Sequence, residues 1–131
     1  MEHEEFENKL MDMLLDGDDD VLKEIRNQFL KATVKSRKFT GGGFYTNYIV
    51  DKQITPVANG KTFEIMDVYA YYRKIEYTLG FILFIKNGHL TELEGYTVTE
   101  FAWPYDYSEV TLKYDSPDGK RDLQKLKSIW S

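Results

Sequence analysis

"GFILFIKNGHLTELEGYTVTEFAWP", residues 80–104, decides the fold. It runs apolar, turns at Asn87-Gly88 and returns through His89, Glu92 and Glu94. Asn-Gly supplies the two positive φ values that a two-residue hairpin needs, and between these two β-rich runs it is the strongest hairpin signal in the chain. A two-residue turn pairs Lys86 with His89, Ile85 with Leu90, Leu83 with Glu92 and Phe81 with Glu94. Side chains alternate along a strand. That register puts Glu92 and Glu94 on the face of Phe81, Leu83 and Ile85, and puts Leu93 with Ile82 and Phe84. Phe81 to Ile85 is apolar on both faces, so the strand is expected to be central and covered on both sides. Two carboxylates on a covered face are costly unless compensated. Three outcomes are open: a bulge turns them outward, a cation such as Arg73 or Lys74 pairs with them, or they line an open cleft.

Outward from the hairpin, the period of the apolar residues changes. Phe6, Leu10, Met13 and Leu14 have helical spacing over 4–15, and Leu22, Ile25 and Phe29 repeat it over 19–31. "DGDDD" (16–20) joins the two, with Gly17 suited to a helix end and the acids to the next start. From Ala32 the period is two. "ATVKSRKF" and "GFYTNYIV" flank a Gly-rich turn, "KTFEIMDVYAYYRKIEY" reads as strand broken near Asp67, and "EVTLKY" is a last strand. Leu123, Leu126 and Ile129 or Trp130 predict a short closing helix. The fold class is therefore α+β in a single domain, 1–131. A helical hairpin packs on an antiparallel meander sheet of about six strands.

The 131 residues can build a core without staples. The apolar share is 42% and the aromatic share 15%, supplied mostly by ten Tyr and eight Phe, which excludes a disordered composition. There is no cysteine, so disulfide and thiolate chemistry are out. No secretory leader or apolar run of membrane-spanning length is visible, and a cytoplasmic protein is expected. A net charge of −5 argues against nucleic acid and for a partner with a basic surface.

Motifs for cofactors fail on inspection. Asp16, Asp18 and Asp20 alternate as in an EF-hand loop, but Val21 and Asn27 stand where Gly and Glu are needed. "NGKT" (59–62) ends like a phosphate-binding loop, but Thr55 replaces its first Gly and a strand follows. No serine has a nucleophile-elbow setting, His89 is expected in solvent after its turn, and His3 sits in a frayed terminus. "KSRK" (35–38) reads as charge protecting an edge strand. No catalytic residue, metal or cofactor is expected. The one pair with catalytic spacing is Glu92 and Glu94, roughly 6–7 Å apart by strand rise.

Aromatic residues are left over. Tyr96, Phe101, Trp103, Tyr105 and Tyr107 follow the hairpin, the last four in a segment interrupted by Pro104. Among acidic neighbours they suit either core packing or the anchors of an interface. The stretch also resembles the signature of a family of small bacterial cytosolic proteins. That signature has an apolar strand, an (Asn/Asp)-Gly turn, Leu-x-x-Leu-Glu-Gly-(Tyr/Phe)-Thr and a Trp-Pro. Here these are Asn87-Gly88, Leu90, Leu93, Glu94, Gly95, Tyr96, Thr97 and Trp103-Pro104, with Phe101-Ala102 lengthening the loop. The resemblance implies no catalytic residues and, by analogy, an immunity-type partner. The expected function is a non-enzymatic protein-binding module, an immunity-type inhibitor of a basic toxin. Its candidate contacts are Glu92, Glu94, Tyr96, Phe101, Trp103, Tyr105 and Arg73. The alternative is a sugar or metabolite binder, or a minor hydrolase, with a pocket between the sheet, Glu92, Glu94 and Arg73. A homodimer through sheet edges or aromatic patches is the third reading.

Overall fold

The computed structural model describes residues 2–74, 76–97 and 102–131. Two helices open the chain, α1 (His3–Leu14) and α2 (Asp20–Lys31). Their apolar stripes bury Phe6, Leu10, Met11 and Leu14 on α1, and Leu22 and Ile25 on α2. The acidic link between them has a structural task. Asp19 caps α2, its carboxylate accepting from the Val21 and Leu22 amides at 3.0 and 3.1 Å. Gly17 takes φ 139°, and a Cβ there would meet Leu22 at 2.8 Å.

Among the described residues seven strands follow: β1 (Thr33–Phe39), β2 (Gly43–Ile49), β3 (Phe63–Ile65), β4 (Val68–Tyr72), β5 (Tyr77–Lys86), β6 (His89–Thr97) and β7 (Val110–Tyr114). All pairs are antiparallel, in the order β1-β2-β6-β5-β4-β7, with β3 also on β5. The count exceeds six because the run around Asp67 splits. β3 and β4 occupy successive lengths of the ten-residue β5. At the break Asp67 holds Arg121 through two bonds of 2.9 Å. Arg121 also donates to the carbonyls of Met13, Leu14 and Asp16, closing the C-terminus of α1. The chain ends in α3 (Leu123–Lys127), whose Leu126 is buried, and Trp130 packs on Phe63 at 5.3 Å.

The central hairpin corrects the expected register. Lys86 pairs with His89 and Ile85 with Leu90, but a bulge then shifts the ladder. Beyond it Phe84 faces Glu92, Leu83 faces Leu93, Ile82 faces Glu94 and Phe81 faces Gly95. Glu92 and Glu94 therefore share a face with Ile82 and Phe84, and not with Phe81, Leu83 and Ile85. The cause is the spacing of Leu90 and Leu93. Three residues apart, they fall on opposite faces of a regular strand, and one extra residue brings both into the core. Both are buried, each worth about 1.5–3 kcal/mol of apolar transfer. Gln28 of α2 supports the turn beside the bulge. Its amide donates to the Gly88 carbonyl and accepts from the Leu90 amide, both at 2.9 Å.

The sheet is covered on one face, not both. Leu79, Phe81, Leu83 and Ile85 form one core with α1 and α2, while Ile82 and Phe84 on the other face are half-buried. Both long helices spend their apolar stripes on the same side. No helix among the described residues is long and apolar enough to cross a membrane.

Candidate functional site

The open face gathers three of the expected contact residues. Glu92, Glu94 and Tyr96 project from β6, with Tyr45 of β2 opposite Glu94 and Asn47 opposite Glu92. Burial and then the charge of Glu94 push the Glu92 carboxyl up. The Tyr45 phenol is raised too, chiefly by the charge of Glu94 and by a hydrogen bond to it. Among the described residues neither acid has an ion-pair partner. Tyr96 lies over Gly80, where a Cβ would come within 2.3 Å of its ring. Beside it a groove of 310 Å³ runs between Tyr69, Tyr96, Thr78 and Met66.

Arg73 does not join this group. It is exposed at the end of β4, pairs with Glu109 at 3.6 Å, and lies roughly 26 Å along the strands from Glu92. Neither Arg73 nor Lys74 is the cation that the acids require. The bulge is the outcome realised.

On the covered face the structure reveals a polar network that the sequence reading missed. Glu7 of α1 is 3% exposed, yet it is charged. Arg37 reaches it from β1 with two bonds of 3.0 and 3.2 Å, so "KSRK" is not purely a solvated edge. The Thr46 and Tyr48 hydroxyls each donate to it at 2.9 Å, and His3 Nε2 does so at 2.9 Å. Burial alone would raise this carboxyl. The bonds from His3, Arg37, Thr46 and Tyr48 outweigh it and hold the pKa at about 2. Burial and the adjacent Glu7 charge push the Tyr48 phenol upward.

His3 is thus no frayed residue. A carboxylate can only accept and an indole N–H can only donate. Nε2 therefore carries the proton toward Glu7. The Tyr107 oxygen accepts from Trp103 Nε1 at 2.9 Å and passes its own hydrogen to His3 Nδ1 at 2.6 Å. His89 is likewise half-buried, not free in solvent: its Nε2 donates to the Ile54 carbonyl at 2.9 Å.

The segment after the hairpin divides by residue. Phe101 lies outside the described residues. Trp103 packs edge-on against Phe44 at 5.4 Å and Phe81 at 6.0 Å. Gly95 admits it, since a Cβ there would lie 2.3 Å from the Phe44 ring and 2.9 Å from the indole. Tyr107 is buried, stacked on Phe6 at 4.1 Å. Tyr105 is 84% exposed. Trp103, Tyr105 and Tyr107, together with His3 and Phe39, line a cleft of 420 Å³.

The order hydroxyl, imidazole, carboxylate in Tyr107, His3 and Glu7 is that of a nucleophile relay. Here it is closed. Both imidazole nitrogens are engaged, and burial, the largest influence, raises the Tyr107 phenol, which keeps its proton. The chain of bonds fixes the shape of the cleft. No group of three or more His, Asp or Glu among the described residues is placed to hold a metal ion.

The chain matches no family model, no curated protein and no solved structure. The site is therefore read from its own geometry. One signal of the network was available in the sequence: His3 and Glu7 are four apart on a helix. Nothing local tied them to Arg37, Thr46 or Tyr48, which lie 30 to 41 residues further on than Glu7.

Proposed function

We propose that this chain is a non-enzymatic cytoplasmic binding domain that offers the open face of its sheet to a basic protein, as an immunity-type inhibitor of a basic toxin would. The observation that carries the reading is the pair Glu92 and Glu94, without an ion-pair partner among the described residues, on a face that no described helix covers. Acids kept on a half-buried surface without a cation are complementary to a cation brought by another molecule. Tyr45, Tyr69 and Tyr96 surround them with amphipathic contact area of the kind that dominates interface energetics. The net charge of −5 favours encounter with a basic partner.

The test compares capture of a basic protein, from the host or encoded beside this chain, by the wild type and by Glu92→Lys/Glu94→Lys. Capture that weakens with salt and is lost in the double variant supports the reading. Capture unchanged by charge reversal, or absent altogether, removes it. The groove between Tyr69 and Tyr96 favours one alternative, a sugar or metabolite ligand. A thermal-shift screen distinguishes it: a small molecule that raises Tm, with the rise lost in Glu94→Gln, replaces the protein partner.

A further inference from the structure

We infer that the cleft between the start of α1, the β1–β2 turn and the 102–107 segment is a socket for an arginine side chain of a peptide or protein. It lies on the helix side of the sheet, so the inference does not rest on the open-face reading. The socket is lined largely by aromatic residues. Phe39 is 57% exposed and Tyr105 84% exposed at its mouth, while Trp103 forms its half-buried wall. Its base has no side-chain hydrogen to give. Trp103 Nε1 is spent on Tyr107, the Tyr107 hydroxyl on His3, and His3 Nε2 on Glu7.

An anion or a carbonyl would find no donor from these three side chains. A cation finds aromatic rings, with the acidic Glu2 among the residues that line the cleft. Glu4, 77% exposed on the same end of α1, adds charge of the same sign and is held only loosely by Arg37 at 3.4 Å. These acids oppose the positive end of the helix dipole. Tyr105 already carries a cation from its own chain, Lys74 Nζ lying 5.6 Å from the ring centroid. Arginine fits better than lysine because its planar, weakly hydrated guanidinium stacks on rings. The rigid bonding behind Trp103 holds the wall in place before the ligand arrives, which lowers the ordering cost of binding.

The experiment titrates the full chain with acetyl-Gly-Arg-Gly-amide and follows the Trp103 indole N–H by two-dimensional NMR. The citrulline peptide, equal in shape and uncharged, is the control. A saturable shift is expected with arginine, at least ten-fold weaker with citrulline. It should be lost in Phe39→Ala/Tyr105→Ala, whose side chains are exposed, and retained in Glu92→Gln/Glu94→Gln. Lys74→Ala, which vacates the Tyr105 ring, should tighten binding. Equal responses to the two peptides, no saturation, or loss of the shift in the Glu92/Glu94 variant in place of the aromatic one overturns the inference.

Discussion

The two faces of one sheet treat a carboxylate in opposite ways. On the covered face Glu7 is almost wholly buried, and four side chains donate to it. On the open face Glu92 and Glu94 have more water and fewer partners, and burial and then the charge of Glu94 raise the cost of ionising Glu92. Burial alone does not decide whether an acid stabilises a fold. What decides is whether the chain supplies donors to replace the water removed. The covered face supplies them and the acid becomes part of the architecture. The open face supplies only the Tyr45 hydroxyl to Glu94 and, among the described residues, no cation, so its acids stay less compensated.

The largest break in this contrast is Glu7→Ala. It leaves the half-buried Arg37 guanidinium with Glu4 alone and strands the two buried hydroxyls of Thr46 and Tyr48, so a loss of about 3–5 kcal/mol is expected in urea unfolding. A loss under 1 kcal/mol would mean that the network contributes little. The same group sets an acid limit. Its folded pKa of about 2 lies below the ordinary 4.5, so its contribution is complete above pH 4.5 and lost as pH falls toward 2. The shift corresponds to about 3 kcal/mol. Unfolding free energy measured against pH should fall over that window, and Glu7→Gln should flatten the fall.

Next in size is Gly95→Ala. The added Cβ meets the Phe44 ring at 2.3 Å and Trp103 at 2.9 Å, both fixed by packing. Overpacking of this kind costs about 1–3 kcal/mol. The Trp103 indole resonance should also move, since the ring must give way. A variant as stable as the wild type, with that resonance unmoved, would place Trp103 elsewhere.

How much of this could be read from the residues alone follows from which interactions are local. Helix periodicity, the Asn87-Gly88 turn and the break at Asp67 are set by near neighbours, and the elements built on them stand where expected. Strict alternation past Leu90 gives the wrong register for Glu92. The spacing Leu90-x-x-Leu93 already contradicts alternation and points to a bulge. Glu7 was invisible for another reason: its partners come from β1 and β2, and only the folded sheet assembles them. Trp103 and Tyr105 look alike in the sequence. The room above Gly95 half-buries Trp103, while Tyr105 stays in solvent.

The smallest expected effect is the sharpest comparison. Glu92 carries a raised carboxyl in the folded chain, the reverse of Glu7. A raised acid weakens the fold once ionised, so its penalty is absent at low pH and grows as pH rises through its folded value. Glu92→Gln should therefore be neutral or stabilising at pH 7 by a few tenths of a kcal/mol, the scale of a solvent-screened charge pair. The gain should vanish near pH 3, where the wild-type acid is protonated. Urea midpoints of both proteins at the two pH values measure this directly. If Glu92→Gln instead costs more than about 1 kcal/mol at pH 7, Glu92 is satisfied within its own chain. An acid already satisfied has little to offer a basic partner, and the distinction between the two faces fails with it.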